Sequence, residues 1–247
     1  MTNESTGSGA LVLELKDVHA SIGSSHILQG VTFAARENAV TAILGRNGAG
    51  KTTTIKAILG LVKREGKIDF LGESIVGEQT HKIVQRGIGF VPEDRDVFHG
   101  LSVEENLRIA ERVKGHGRYD LVYDVFPELR TRAKQQAGTL SGGQQRMLSL
   151  GRGLLNENAL LLIDEPTKGL APRVLTEVVE VLERVKAAAT IVMVEQNLMA
   201  AKRLADDVVV MAAGRVVLTG TADELLTEDD RIRSLLTVTA GKMRGHE

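Results

Sequence analysis

The 247-residue sequence contains no cysteine. That excludes disulfides, thiolate chemistry and cysteine-ligated metals. Neither sign of charge is in excess: 31 Lys and Arg stand against 32 Asp and Glu, a formal net charge of −1. A broad nucleic-acid or anionic-membrane surface is therefore not expected. No apolar run approaches the roughly 18 residues that a membrane helix needs. The opening residues, MTNESTGSGA, lack a basic region followed by an apolar core, so they do not read as a secretory signal. These absences lead to the expectation of a cytosolic chain, to which any membrane span would have to be supplied by another chain. What is present is 43% hydrophobic residues, enough for a packed core in one large α/β domain or two small ones.

Residues 1–10 are small and polar and read as a frayed tail. LVLEL (11–15) and ILQGVTFAA (27–35) read as strands, the second with Gly30 as a bulge. AVTAIL (39–44), IGFVP (88–92), ALLLID (159–164) and TIVMVE (190–195) are continuous apolar runs, the pattern of parallel strands buried on both faces. KIDFLG (67–72) is a further strand, and DVVVMAAGRVVLTG (207–220) reads as two strands around Gly214. TTTIKAILGLV (52–62) and PRVLTEVVEVLERVKAA (172–188) are helical, the latter with proline in its first turn. Between Glu93 and Asn156 the texture becomes charged and helical, as in SVEENLRIAERV (102–113) and YDLVYDVF (119–126), and reads as an insertion into the α/β core. The expected division is a tail over 1–10, a single domain over 11–226 with core 11–92 and 157–226 and helical insertion 93–156, and a charged extension over 227–247.

Three motifs carry chemistry. Gly45, Arg46, Asn47, Gly48, Ala49, Gly50, Lys51 and Thr52 fit G-x-x-x-x-G-K-[ST], followed by Thr53. Backbone N–H groups of such a loop surround β- and γ-phosphates, Lys51 reaches their oxygens, and Thr52 offers a hydroxyl to Mg²⁺. Asp164 and Glu165 end a buried strand, at the edge of a parallel sheet where ligands bind. There Asp164 suits Mg²⁺ and Glu165 suits polarising an attacking water. The third, LSGGQQR over Leu140, Ser141, Gly142, Gly143, Gln144, Gln145 and Arg146, is a second glycine-rich turn before a helix, and by itself reads as a helix cap with Ser141 at the N-cap.

In this order and spacing, GRNGAGKTT, LSGGQQR and LLLIDEP resemble an ABC-type ATPase subunit over nearly the whole chain, from about Leu11 to Leu226. The resemblance implies an α/β fold: a P-loop NTPase of ABC type, with a RecA-like mixed-sheet core, an N-terminal antiparallel β subdomain and an inserted helical subdomain. It also implies ATP and Mg²⁺ as cofactors and a head-to-tail pair of subunits. In such a pair the LSGGQ loop of one subunit touches the γ-phosphate held by the other, which is why one chain carries two phosphate cradles.

Two departures from that pattern are informative. Glu93 stands where most such ATPases carry glutamine, and MVEQN (193–197) places Gln196 where they carry a switch histidine; after Asp164 the sequence has only His246. Together with VFHGLSVEENL and GLAP, these are similar to the second ATPase subunit of Liv-type importers for branched-chain amino acids. The implied partners are a sister ABC ATPase in a heterodimer, two transmembrane permease subunits and, indirectly, a solute-binding protein, at the cytoplasmic face of the cell membrane, with no nucleic acid. Urea and short-amide importers share much of this pattern. A soluble ABC ATPase acting on a non-membrane partner, and an exporter, stay as alternatives. A glutamine amide can donate to a γ-phosphate but cannot titrate near neutral pH. Glu93 is a candidate for Mg²⁺ or the water. The family's base-stacking aromatic is replaced by Ile22, which offers dispersion but no π-stack.

Overall fold

The near-continuous apolar runs become the parallel strands of one sheet because both of its faces are covered. In the computed structural model, which describes residues 9–186 and 189–227, the chain begins with β1 (Leu11–Ile22), β2 (Ser25–Arg36), β3 (Val40–Gly45) and α1 (Lys51–Ile58). β4 (Lys63–Phe70), β5 (Glu73–Ser74), α2 (Thr80–Gln85) and β6 (Ile88–Val91) follow. Next come the helices α3 (Val103–Arg108), α4 (Tyr119–Val125), α5 (Pro127–Thr131) and α6 (Gly142–Leu154), with a 3-10 turn over Ala137–Thr139. The chain then returns to α/β order with β7 (Leu160–Asp164), α7 (Pro172–Lys186), β8 (Ile191–Glu195), α8 (Leu198–Leu204), β9 (Asp207–Ala212), β10 (Arg215–Thr221) and α9 (Ala222–Thr227).

A six-stranded sheet in the order β10-β9-β3-β8-β7-β6 is parallel from β9 to β6, with β10 antiparallel at its edge. A four-stranded antiparallel sheet in the order β2-β1-β4-β5 lies beside it. Alternate residues of each parallel strand enter separate cores. Val40, Ala42, Leu44, Leu161, Ile163, Ile191 and Met193 face the inserted helices and α7. Ile43, Leu160, Leu162, Val192 and Val194 face α1 and the antiparallel sheet. This is the physical reason these strands show no polar alternation.

Element boundaries differ from the sequence expectations where tertiary contacts decide them. β1 runs on to Ile22 instead of ending at Leu15, passing through register shifts and a left-handed Asp17 (φ 50°) that break its alternation. Gly30 is the extra residue expected: Val18 pairs with Val31 and His19 with Gln29, leaving Gly30 unpaired. α1 ends at Ile58, not Val62. Gly60 takes φ 73°, its N–H donates to Ala57 O and that of Leu61 to Lys56 O, which closes the helix in a Schellman motif. α3 starts where expected, with a reciprocal Ser102–Glu105 capping box, but stops at Arg108. Beyond it, the Arg112 backbone N–H donates to Asn156 Oδ1 and its guanidinium to the carbonyls of Ile88 and Glu157, so tertiary bonds replace the next helical turn. The tail expectation for residues 1–8, the last two residues of the 172–188 helix and the extension over 228–247 lie outside the described residues.

Candidate active site

All five parallel strands end at the same sheet edge, and their register sets what meets there. Leu44 pairs with Glu195, Gly45 with Met211, Asp164 with Val194 and Val91 with Ile163. The residues just past these ends are the phosphate loop after β3, Glu165 after β7, Gln196 after β8, and Pro92 and Glu93 after β6. Four segments distant in sequence thus converge by topology alone, at the edge where open α/β sheets bind ligands.

The loop over 45–50 leads into the N-terminus of α1 at Gly50, whose φ of 103° and whose approach to Leu28 leave no room for a side chain. Lys51 is 4% exposed. Its Nζ donates to Gly45 O (2.9 Å) and Arg46 O (3.2 Å) and lies 3.4 Å from Glu165 Oε1. The Thr52 hydroxyl donates to Asp164 Oδ1 at 3.1 Å. Asp164 is 1% exposed, and its pKa is pushed up to about 6: burial dominates, the Thr52 hydrogen bond works against it, Glu165 and Glu93 add repulsion, and Lys51 opposes the rise least. A buried carboxylate short of positive charge, beside a hydroxyl at a phosphate loop, is an oxygen donor pair that suits Mg²⁺, whose remaining ligands come from phosphate and water.

Glu165 adopts a left-handed backbone (φ 44°), an uncommon conformation for a residue with a side chain. Three backbone contacts hold it: its N–H donates to Val194 O (3.0 Å), and its carbonyl accepts from Arg146 Nη2 (3.0 Å) and from the Lys168 N–H (3.2 Å). Lys168 also reaches sideways, with Nζ 3.1 Å from Glu165 Oε2 and 2.5 Å from Glu93 Oε1. Glu93, expected to face the metal or the water, is therefore engaged by a lysine in the structure.

The structure brings Lys51, Thr52, Asp164, Glu165 and Glu93 together. Gln196 is exposed at the same edge, just past the end of β8, the strand between those of the phosphate loop and Asp164. Ile22 closes the β1–β2 turn, 48% exposed. The antiparallel sheet meets the loop region farther along, where Leu28 lies against Gly50 and the Gln29 N–H donates to Gly214 O. Ser141 is the N-cap of α6 in a capping box with Gln144, as the sequence suggests. The polar contacts of its turn run to Glu128, Ala137 and Arg95, away from the phosphate loop.

Three residues that build this geometry carry no functional signal of their own in the sequence, although Arg146 and Glu195 lie inside motifs already quoted and Lys168 lies between LLLIDEP and GLAP. Lys168 is one. Arg146, 1% exposed at the end of LSGGQQR, donates to the carbonyls of Pro92, Glu93 and Glu165, tying α6 to both acidic loops. Glu195, buried in MVEQN, accepts from the Thr167 N–H and hydroxyl and from the N–H groups of Gln196 and Asn197. Burial raises its pKa, and these hydrogen bonds work against the rise.

Comparison with known proteins accords with this geometry. The family described as ABC transporter matches residues 28–168. The chain is 37% identical to the high-affinity branched-chain amino acid transport ATP-binding protein BraG of Pseudomonas aeruginosa, over 87% of this chain and 95% of that protein. It is 36% identical to the probable branched-chain amino acid transport ATP-binding protein LivF of Archaeoglobus fulgidus, over 88% and 95%. A crystal structure of a nucleotide-free ATP-binding cassette from an ABC transporter superposes with a TM-score of 0.81 at 23% identity, covering 93% of this chain and all of that one, and so shares its fold. The chain belongs to the ABC transporter family, as an ATP-binding subunit of an ATP-driven transporter.

Proposed function

We propose that this chain hydrolyses ATP to power a membrane importer for branched-chain amino acids or related small polar solutes. The observation that carries the hydrolytic part is the convergence of Lys51, Thr52, Asp164 and Glu165 at one sheet edge. The loop N–H groups and Lys51 bind the β- and γ-phosphates. Thr52 and Asp164 would hold Mg²⁺, which would supply positive charge against the phosphate oxygens. Glu165 takes up or orients the proton of the attacking water, its backbone held in a left-handed conformation at the end of β7. Gln196 donates its amide to the γ-phosphate. Glu93 reaches the metal or the water only by exchanging Lys168. Leu140, Ser141, Gly142, Gly143 and Gln144 serve the nucleotide of the opposing subunit: a hydroxyl, two amides without side chains in the way, and the N-terminus of a 13-residue helix.

Glu93, Gln196 and the two named relatives support the branched-chain amino acid reading. On it, the chain pairs with a sister ABC ATPase and docks on two permeases at the cytoplasmic membrane face, with a solute-binding protein as the indirect partner. Among the described residues no helix is long and apolar enough to cross a membrane, so the span is assigned to the permeases. The test is affinity purification of a tagged copy from gently solubilised native membranes, with mass spectrometry of what accompanies it. Two polytopic permeases and a second ATPase are expected, and a co-purifying binding protein is then screened for its solute. A chain that brings down only soluble proteins overturns the transport reading.

A further inference from the structure

Lys51, Glu165, Lys168 and Glu93 form a chain of alternating charge with successive separations of 3.4, 3.1 and 2.5 Å. Glu165 is shared at its two ends, Oε1 toward Lys51 and Oε2 toward Lys168. The arrangement is built from the backbone outward. Arg146 holds the carbonyls of Glu93 and Glu165, and the Lys168 N–H closes a turn onto Glu165 O. Thr167, between them, is pinned through both its N–H and its hydroxyl to the buried Glu195. Lys168 is thereby set between two carboxylates whose backbones are tied to a single guanidinium.

A polyphosphate in the loop competes for Lys51, which must exchange Glu165 and the loop carbonyls for phosphate oxygens. Glu165 then keeps Lys168 as its cation, and Glu93 has no other ion-pair partner among the described contacts. With Asp164 alongside, three carboxylates border a highly charged anion, and like charges at this range oppose binding. We propose that Lys168 is a positioning residue that balances this charge. Shared between Glu165 and Glu93, it offsets one of their two negative charges so that a nucleoside triphosphate can bind beside them, and it fixes the Glu165 carboxylate once Lys51 has turned to phosphate. This rests on the ATPase reading above.

The test is equilibrium titration of the isolated full chain with the fluorescent nucleotide mant-ATP in EDTA, which reads affinity without turnover. Lys168→Met is expected to weaken binding about five- to tenfold at low ionic strength, with a smaller effect at 1 M salt, where the screening length is about 3 Å. Lys168→Arg keeps the charge and retains binding. The double variant Lys168→Met with Glu93→Gln removes one charge of each sign and recovers most of the loss, a compensation that simple damage to the fold would not give. Unchanged affinity in Lys168→Met, or a double variant no better than the single one, overturns this inference alone. Absence of saturable binding by the unmodified chain overturns the ATPase reading and this inference with it.

Discussion

Asp164 lies at the end of β7 with a hydroxyl as its hydrogen-bond donor, and burial lifts its pKa to about 6. An unfolded aspartate titrates near 3.9. The folded chain therefore holds this proton more tightly, so the group's burden on stability is absent below about pH 4 and complete above about pH 6. Two pH units correspond to at most about 3 kcal/mol. Without Mg²⁺ and nucleotide, Asp164→Asn is expected to stabilise the chain by about 1–3 kcal/mol at pH 7 and hardly at all at pH 4, measured by urea unfolding at the two pH values. Equal effects at both would contradict the assignment. Gln196 gives the opposite kind of expectation, since it has no titratable group. The hydrolysis rate should show no acid limb near pH 6–7 from this position. Gln196→His should introduce one, and an unchanged pH–rate profile in that variant would remove Gln196 from the γ-phosphate.

At the scale of an element, the C-terminal part of α6 packs closely on β6: a Cβ built at Gly153 would lie only 2.4 Å from Val91 Cγ2. Helix propensity alone favours alanine there by up to about 1 kcal/mol. Val91 is β-branched and fully buried, so it cannot turn aside without moving its strand. Gly153→Ala is expected to destabilise by about 1–2 kcal/mol net, the overpacking outweighing the propensity gain, as urea unfolding would register. A stabilised variant would show that α6 can shift off the sheet. The same competition between local signal and packing governs what was legible among the elements. The buried strands were readable because their apolar runs serve two cores. The capping residues Ser102 and Ser141 were readable because a side chain accepting from N3 is a local event. The stop of α3 at Arg108 was not, because Arg112 finds its partners at Ile88 and Glu157, far away in sequence.

For the whole molecule, the two glycine-rich turns keep different polar company, and the proposed function assigns them to the nucleotides of different subunits. The phosphate loop gathers the acidic residues of its own chain, whereas the polar contacts of the Ser141 turn stay within the helical region and Arg95. Ser141→Arg is therefore expected to leave mant-ATP binding by the isolated chain unchanged while lowering hydrolysis by the assembled transporter by about 100-fold or more, the scale seen when a preorganised phosphate-stabilising contact is lost. Parallel titration and phosphate-release assays would check this. Loss of binding in the isolated chain would place the turn at its own nucleotide.

Contiguous residues alone were enough to read the phosphate-loop motif, the Asp164–Glu165 pair, the LSGGQQR turn and the contrast between apolar strand runs and a charged helical stretch. Each of these is written in contiguous residues whose spacing has a direct physical meaning: a helix N-terminus for anions, a strand end for carboxylates, unbroken apolar runs for a doubly covered sheet. Which charges meet is set by the folding of distant segments onto one another. Glu93 and Lys168 are 75 positions apart and stand 2.5 Å from one another, and Arg146 joins the carbonyls of Glu93 and Glu165 from a third segment. No local pattern encodes such encounters. They follow from strand order and register, which place β6, β7, β8 and β3 side by side and bring their ends to one edge.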